Sequence, residues 1–315
     1  MKILLTGGLG QVGSYLGERL SENNEITILD NFSNSLSNIK IPSNIKIIKG
    51  DIRDPKIVNE LASKANTIIH TAAQISVKKS IEDPVFDAEN NINGTLNLLE
   101  AARRSDIRRF IYISSAAVYG MPVSLPINEE HPTNPLSPYG LSKLTGERYA
   151  MLYHSLYGLP VVCLRLFNIF SPRQRSDSPY SGVITKFIEK VRSDQNPVIF
   201  GDGEQTRDFV FIEDVVDAIF NTMENKKAVG EIFNIGTGKP TRIKKLAEII
   251  IEISNRKLEP EFAGAQTGDI RESYADITKA KKILGFEPKY LIERGLKLCM
   301  SKNNEGQRKL KSKKV

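Results

Sequence analysis

The first half of the chain alternates short apolar runs with longer stretches in which apolar residues recur at helical spacing. The runs are rich in Ile and Val and nearly continuous, which is typical of strands covered on both faces. They occupy residues 2–6, 26–30, 45–48, 67–70, 110–114 and 161–166. Helical patterns lie between them, including residues 11–21, 85–104 and 139–157. The alternation predicts an α/β fold, a doubly wound parallel sheet with helices on both faces.

The pattern changes after Ser171, where proline and polar residues become frequent and the elements become shorter and mixed. Strands are predicted at 198–200, 209–212 and 231–235, and helices at 213–223 and 241–254. Ligands of open parallel sheets sit outside the carboxyl ends of the strands. The second half of the chain is therefore expected to form a wall over that edge of the sheet.

These changes of pattern predict a division of the chain into two domains and a tail. The larger domain covers residues 1–170, with return segments near 208–236. A smaller, mixed α/β domain for the substrate covers residues 171–207 and 237–300. Residues 301–315 form a basic tail, which we expect to be disordered because it carries six basic residues against Glu305.

Composition narrows the classes of protein to which the chain can belong. The chain has 315 residues, of which 40% are hydrophobic and 26% charged, as in ordinary globular proteins. The net charge of +7 lies mostly in the tail, so we predict no nucleic-acid partner and no metal site. No apolar run approaches the roughly 20 residues of a membrane span. With only two cysteines, a reducing cytoplasm is the expected location.

A glycine-rich turn follows the first predicted strand. Residues 6–13 read T-G-G-L-G-Q-V-G and open a predicted helix. Gly7 and Gly10 let the backbone turn tightly and approach a diphosphate, and Gly13 lets the helix pack closely on the sheet. The second predicted strand ends at Asp30, 23 residues after Gly7, where a carboxylate suits the ribose 2′-hydroxyl of NAD. This combination predicts NAD as the cofactor.

The Gly-x-x-Gly-x-x-Gly spacing resembles that of the short-chain dehydrogenase/reductase superfamily, which implies a Rossmann domain. Asp51 and Ile52 after the third strand, Ala72 and Ala73 after the fourth, and Asn91 match positions of that superfamily. The resemblance implies that these residues bind the cofactor. It implies the same role for the following residues beside the glycines and the acid: Gln11, Val12 and Asn31.

A candidate acid–base pair stands at the start of the third helical pattern. Tyr139 and Lys143 are four residues apart, so their side chains share one helix face. A free tyrosine has a pKa of about 10, and a nearby ammonium favours its phenolate form. The resemblance adds Ser115, just after the fifth strand, as the third member of a catalytic triad with Tyr139 and Lys143. In that superfamily, the tyrosine and the lysine also contact the cofactor.

The chain resembles more closely the nucleotide-sugar 4-epimerases of the extended branch, especially those acting on UDP-glucose and UDP-N-acetylglucosamine. This resemblance spans residues 2–288. The related sugar 4,6-dehydratases carry Asp-Glu after the hydroxyl residue, and the decarboxylases carry a Glu there. In this chain, those positions are Ala116 and Ala117. The segment therefore supplies no general acid for elimination, which favours an exchange of hydride and proton at C4 alone.

The resemblance also implies substrate contacts in the second half of the chain. Asn168 and Arg173 match its sugar-nucleotide segment, and Arg207 matches an arginine that binds the diphosphate in two parallel hydrogen bonds. A second diphosphate arginine of the family is replaced by Gln266 here, and the nearby Arg271 is a candidate substitute.

Position 273 carries a smaller residue than the one that narrows the substrate pocket in related enzymes. Strict glucose/galactose epimerases tend to carry a tyrosine at the position of Ser273, two residues beyond Arg271. Serine would leave space for a 2-acetamido group. We therefore add Ser273 to the predicted substrate contacts and expect tolerance of N-acetylhexosamines.

The residues and the resemblance together predict an isomerase that inverts C4 of a UDP-hexose through a 4-keto intermediate, and the resemblance also implies a homodimer. Two related activities stay open, a UDP-glucuronate 4-epimerase and a 4-keto-sugar reductase that consumes NAD(P)H. A different class also stays open, a non-catalytic module that senses NAD. The presence of Ser115, Tyr139 and Lys143 argues against that last alternative.

Overall fold

A computed structural model describes the backbone of residues 1–36, 39–174, 182–266 and 268–311, and the side chains up to residue 301. The strands in chain order are β1 (Lys2–Thr6), β2 (Glu25–Asp30), β3 (Lys46–Lys49), β4 (Thr67–His70), β5 (Arg109–Ser115), β6 (Val161–Leu166), β7 (Asn168–Phe170), β8 (Val198–Phe200), β9 (Thr206–Phe211), β10 (Glu231–Ile235), β11 (Pro240–Arg242) and β12 (Glu261–Ala263). The helices are α1 (Gln11–Leu20), α2 (Pro55–Ala62), α3 (Val77–Glu82), α4 (Pro84–Ala88), α5 (Gly94–Arg103), α6 (Pro138–Tyr157), α7 (Val183–Arg192), α8 (Ile212–Thr222), α9 (Ile243–Ser254), α10 (Thr278–Leu284) and α11 (Ile292–Lys311).

The central element is a seven-stranded parallel sheet in the order β3-β2-β1-β4-β5-β6-β10. Leu5 of β1 is in register with Ile28 of β2 on one side and with Ile69 of β4 on the other. The strand order reverses between β1 and β4, and this is where a crevice opens at the carboxyl edge of such a sheet. The predicted doubly wound α/β fold is confirmed.

Both faces of the sheet are buried, which explains the nearly continuous apolar runs in the sequence. Along β1, Ile3 and Leu5 point into one hydrophobic cluster, whereas Leu4 points into a second cluster on the opposite face. The first cluster continues into the second half of the chain through residues such as Phe209 and Leu246. The large sheet and the smaller elements therefore share the first of these two clusters.

The second half of the chain forms two small sheets beside the large one. One has the order β11-β9-β7, and the other pairs β12 with β8. The predicted strand at 209–212 begins earlier, at Thr206, because Arg242 and Pro240 of β11 pair with Thr206 and Asp208. Strand β10 returns to the large sheet within the predicted return segment. The domain boundaries drawn from the sequence stay a prediction.

The helical pattern at 85–104 is interrupted. Helix α4 is followed by a π-helical turn, Glu89–Asn93, before α5 begins. π-Helical turns insert one extra residue and are frequent at functional sites. Here the turn contains the buried Asn91, one of the predicted cofactor residues.

The last helix enters the basic segment 301–315, since the backbone of α11 continues to Lys311. Residues 312–315 lie outside the described residues, and the disorder expected for the tail is untested. Within the described ranges, no helix combines the length and the apolar character required to cross a membrane.

Two glycines of the turn after β1 have no room for a side chain. Gly7 has a positive φ of 68°, and a Cβ there would lie 2.6 Å from backbone atoms of Ala72. A Cβ on Gly13 would overlap the carbonyl oxygen of Gly7 and lie 2.6 Å from Cα of Gly8. Helix α1 can therefore begin this close to the turn only because Gly13 has no side chain.

We expect Gly13→Ala to lower the free energy of unfolding by about 1–3 kcal/mol, because backbone atoms must move to admit the methyl group. Gly264→Ala is the matched control, since nothing lies within 4 Å of a Cβ at that position. The control should change stability by less than about 0.5 kcal/mol. Urea denaturation measures both, and equal midpoints for the two variants would contradict the close packing at Gly13.

Candidate active site

A deep cleft of about 730 Å³ lies at the carboxyl edge of the large sheet. One side is lined by the glycine turn and the ends of β2 and β4, and the other by β7, β9 and the start of α7. Ser115, Tyr139 and Lys143 lie within the same cleft. The fold thus brings the predicted dinucleotide half and the predicted catalytic residues together.

The glycine turn, residues 7–13, forms a concave cradle in the wall of the cleft. Gly7, Gly10, Gln11, Val12 and Gly13 all line the cleft. Gly10 is the residue before the first turn of α1, and no side chain there caps the helix. Free backbone N–H groups and the positive end of the helix dipole at such a point favour an anion.

Asp30 lies at the end of β2, where the sequence predicts a ribose contact. It lines the cleft, and its Oδ2 accepts a hydrogen bond from the backbone N–H of Leu9 at 2.9 Å. Its Oδ1 accepts from the N–H of Phe32 at 2.8 Å. These bonds fix the carboxylate between the glycine turn and the loop after β2.

Of the predicted cofactor residues near Asp30, some line the cleft and one does not. Asn31 and Ile52 line the cleft, whereas Asp51 does not. Partial burial opposes ionisation of Asp51, but hydrogen bonds from Arg53 and Asn31 hold its pKa down at about 2. The Asn31 side chain donates to Asp51 at 2.9 Å, so Asp51 positions a residue of the cleft wall.

These residues fit a dinucleotide. The side-chain-free cradle, the acid at the end of β2 and the small residues Ala72 and Ala73 form one continuous wall of the cleft. Asn91 stands behind this wall, where its side-chain oxygen accepts from the N–H of Gln74 at 2.8 Å. Asn91 therefore holds the segment after β4 in place.

Tyr139 and Lys143 are set by the way in which α6 begins. Ser137 caps the helix by accepting from the N–H of Gly140 at 3.1 Å, and Pro138 occupies the first helical position. Tyr139 is half-buried and lines the cleft, and Ser115 lies near enough to influence its hydroxyl. Ser115 also caps the short turn after β5, accepting from the N–H of Ala117 at 3.2 Å.

The direction of the pKa shift of Tyr139 is opposite to the one expected from the sequence. Burial raises this pKa above 10.0, the hydrogen bond from Ser115 opposes the rise, and the charge of Asp87 adds to it. The Lys143 ammonium lies over the ring of Tyr112, with Nζ 4.3 Å from the ring centroid. Without a further positive charge, the phenol of Tyr139 is therefore neutral near pH 7.

Lys143 is almost completely buried, with 5% of its surface exposed. Burial lowers its pKa from 10.5 to about 8, although Glu147 and Asp87 nearby favour the charged form. Near neutral pH, Lys143 remains mostly an ammonium group. A wholly buried cation therefore lies one helical turn from Tyr139.

A buried ion pair holds α6 to the sheet. Arg165 of β6 donates from Nε to Glu147 at 2.9 Å and from Nη2 at 2.6 Å. Ser114 of β5 donates to the same carboxylate at 2.7 Å. The side chains of Arg165 and Glu147 are 3% and 0% exposed. The helix with Tyr139 and Lys143 is thus tied to the strand that ends in Ser115.

Comparison with known proteins gives the same assignment over nearly the whole chain. A sequence profile described as the NAD dependent epimerase/dehydratase family matches residues 3–236. A putative UDP-glucose 4-epimerase of Methanocaldococcus jannaschii is 42% identical over 307 residues, covering 96% of this chain and 99% of that protein. The chain belongs to the NAD-dependent epimerase/dehydratase family. The resemblance and the cofactor predicted from the sequence are thereby confirmed.

Two solved structures of this family are closely similar. UDP-glucose 4-epimerase from Thermotoga maritima, with UDP-glucose, superposes with a TM-score of 0.93 at 36% identity, covering 98% of this chain and 100% of that chain. UDP-N-acetylglucosamine 4-epimerase from Methanobrevibacter ruminantium, in complex with UDP-N-acetylmuramic acid, superposes with a TM-score of 0.92 at 34% identity, covering 97% and 98%.

The substrate residues predicted for this family member are not all brought to the cleft. Asn168 lines it, at the start of β7, and so does Gln266. Arg207 is mostly buried and forms an ion pair with Asp269, and it also donates to the carbonyl of Ile270 at 2.6 Å. Arg207 can therefore reach a ligand only by sharing or exchanging these partners.

Arg173, Arg271 and Ser273 do not line the cleft. Arg173 lies over the ring of Tyr15 at 4.0 Å and pairs with Glu18 at 2.5 Å. Arg271 pairs with Asp202 at 2.7 Å, with most of its side chain exposed, beside a separate groove. Ser273 is half-buried. The substrate roles inferred for these residues from the family resemblance stay predictions.

The structure adds cleft residues that the sequence did not reveal. Lys186 of α7 and Gln174 line the substrate half of the cleft. Neither belongs to a motif with a chemical meaning, and no helix predicted from the sequence includes Lys186. Only the folding of α7 against the carboxyl edge of the sheet places it there.

We expect Arg165→Met to destabilise the protein by about 3–5 kcal/mol, because it leaves the buried Glu147 carboxylate without its partner. The double substitution Arg165→Met/Glu147→Met should recover much of that loss, since it removes both charges. Urea denaturation of the two variants tests this expectation. A double variant as unstable as the single one would show that the buried charge is not the cause.

Proposed function

We propose that this chain is an NAD-dependent 4-epimerase of UDP-hexoses. The observation that carries the proposal is the meeting of Ser115, Tyr139 and buried Lys143 in the same cleft as the glycine cradle. A hydroxyl, a phenol and an ammonium group at the floor of a dinucleotide cleft suit the oxidation and reduction of a secondary alcohol. This argues against a module that only senses NAD.

The chain's own residues perform the proton transfer. As a phenolate, Tyr139 takes the proton of the sugar 4-hydroxyl and later returns it, and Ser115 hydrogen-bonds to the same sugar oxygen. Lys143 supports the phenolate electrostatically from one turn further along α6. Bound by the glycine cradle and Asp30, NAD would supply a hydride acceptor and donor for C4 and a positive charge beside Tyr139.

The small number of carboxyl groups among the described cleft residues favours epimerisation over elimination. Among the described residues that line the cleft, the one carboxyl group is that of Asp30, on the dinucleotide side. Ala116 and Ala117 follow Ser115 in a short 3₁₀ turn. Elimination from the sugar is expected to need a carboxyl group close to Ser115, and the described walls of the cleft hold none there.

The substrate half of the cleft suits a nucleoside diphosphate. Lys186 and the start of α7 line it together with Asn168 and Gln266. A lysine and the N-terminal end of a helix both attract phosphate. The two related structures named above act on UDP-glucose and on UDP-N-acetylglucosamine, so we propose both UDP-hexose classes as substrates.

The proposed assembly is a homodimer through α6 and the helices packed beside it. Large apolar side chains on this surface are exposed, among them Val85, Leu141, Leu152 and Leu156. Their exposed fractions reach 67% at Val85 and 62% at Leu156. An apolar patch of this kind on a folded protein favours association. The buried free thiols of Cys163 and Cys299 agree with the proposed location in a reducing cytoplasm.

The proposed function is tested by incubating the purified protein with UDP-galactose, UDP-N-acetylgalactosamine and UDP-glucuronate and following C4 inversion by NMR. We expect inversion of the first two without added NADH. Tyr139→Phe should lower turnover about 10²–10⁴-fold because proton transfer is lost. Inversion of UDP-glucuronate alone would favour a UDP-glucuronate 4-epimerase. Steady consumption of NADH would favour a 4-keto-sugar reductase.

The proposed dimer predicts a weaker association in Leu152→Glu, because a carboxylate would be buried in an apolar interface. Sedimentation equilibrium should give a dimer for the natural chain and a larger share of monomer for the variant. Lys190→Glu, at an exposed site on α7, is the control. A natural chain that sediments as a monomer at micromolar concentration would contradict the proposed assembly.

A further inference from the structure

A buried carboxyl group beside the active site has no role in the mechanism described so far. Asp87 of α4 has no exposed surface. Its Oδ1 accepts from the side-chain amide of Gln74 at 2.7 Å and from that of Asn91 at 3.1 Å. Its Oδ2 has no hydrogen-bond partner. A carboxylate with a free oxygen is expensive to bury and calls for a nearby positive charge.

The donors that hold Asp87 are neutral amides, so its negative charge is not cancelled by an ion pair in the described part of the chain. Amide N–H donors stabilise the ionised form of a carboxyl group. The hydrogen-bond chain from Asp87 continues from Asn91 to the Ser142 hydroxyl at 3.1 Å. Ser142 directly precedes Lys143, so Asp87 is linked through one side chain to the turn of α6 that carries the catalytic lysine.

Lys143 needs an anion, and its other neighbours do not provide a net negative charge. Glu147 on its own helix is paired in two hydrogen bonds with Arg165. Burial lowers the pKa of His70 on β4 to about 3, so it is neutral. Burial raises the pKa of the Cys163 thiol on β6 and of the Tyr112 phenol on β5, so both are neutral as well.

Tyr139 is also neutral in the absence of a further positive charge, since burial raises its pKa. Among the described groups that influence Lys143, the remaining anion is Asp87. We propose that Asp87 is a positioning residue of the active site, a buried counter-charge that keeps Lys143 in its ammonium form. This inference rests on the proposed catalytic role of Lys143.

The charge of Asp87 has opposite consequences for the two catalytic groups. It favours the ammonium of Lys143 and disfavours the phenolate of Tyr139. Activity that requires charged Lys143 is present at low pH and is lost as pH rises through its pKa of about 8. Removal of the anion lowers that pKa, so the loss begins at a lower pH.

The test compares Asp87→Asn with the natural holoenzyme over pH 6–10, using C4 inversion of UDP-galactose. We expect the alkaline limb of kcat/KM to move down by about 0.5–1 pH unit, which is a loss of about 3–10-fold above that limb. The KM for the nucleotide sugar should not change, because Asp87 does not line the cleft. A purely structural role would lower activity equally at every pH.

Glu89→Gln is the matched control. It removes the same charge two residues later, from a side chain that is 49% exposed and lies 3.4 Å from Arg53. Solvent screens this position, so the alkaline limb should stay where it is. Asp87→Ser is a second variant that removes the charge and leaves room for water, for use if the asparagine variant does not fold.

A direct titration separates this inference from the proposed function. The protein is labelled with ¹³C at lysine Cε, and the resonance absent from Lys143→Arg is followed with pH by NMR. We expect it to titrate at about 8 in the natural chain and lower in the Asp87 variants. An unmoved titration in a folded variant would overturn the proposal. If neither variant folds, titration of the natural chain below about 7 would also overturn it.

If the natural chain inverts no UDP-hexose, the proposed function fails and the NMR titration still decides the role of Asp87.

Discussion

The active site depends on keeping a positive charge inside the protein. Lys143 lies on the buried face of α6, where loss of hydration lowers its pKa to about 8. The aromatic ring of Tyr112 and the carboxyl groups around it make the ammonium form tolerable. The same burial keeps Tyr139 protonated until a further positive charge enters the cleft. Tyr139, the proposed proton acceptor, is thus protonated until that charge is present.

Bonds between α6 and the large sheet fix the position of the Lys143 ammonium group. Arg165 and Glu147 join α6 to β6, and Ser114 joins it to β5, the strand that ends in Ser115. Because β5 and β6 are interior strands of the sheet, these bonds lie in a region that cannot shift without disrupting the core. The hydroxyl and the phenol therefore meet at a spacing set by rigid elements.

Much of the fold could be predicted from the sequence, because its signals are local. Apolar runs covered on both faces marked the strands of the large sheet, and the glycines after β1 marked the cradle. The Tyr139–Lys143 spacing marked a shared helix face, and the structure places both residues in the cleft. The interruption of the 85–104 helix was missed, because a π-helical turn has no distinct residue pattern.

The local pattern could not predict interactions between side chains that are distant in sequence. The ammonium of Lys143 was expected to lower the pKa of Tyr139, but burial, which no spacing encodes, raises it. Arg173 and Arg271 have the right chemistry for phosphate, yet Glu18 and Asp202 hold them outside the cleft. Lys186 carried no motif and nevertheless lines the cleft. Side-chain partners are decided by tertiary packing, which the local pattern does not contain.

The central claim is that Tyr139 moves only the hydroxyl proton, while the hydride on C4 leaves and returns within the cleft. The most direct measurement uses UDP-galactose deuterated at C4, with the product examined by NMR and mass spectrometry. The account predicts that the UDP-glucose formed keeps the deuterium at C4. Exchange of that deuterium with solvent water would contradict it.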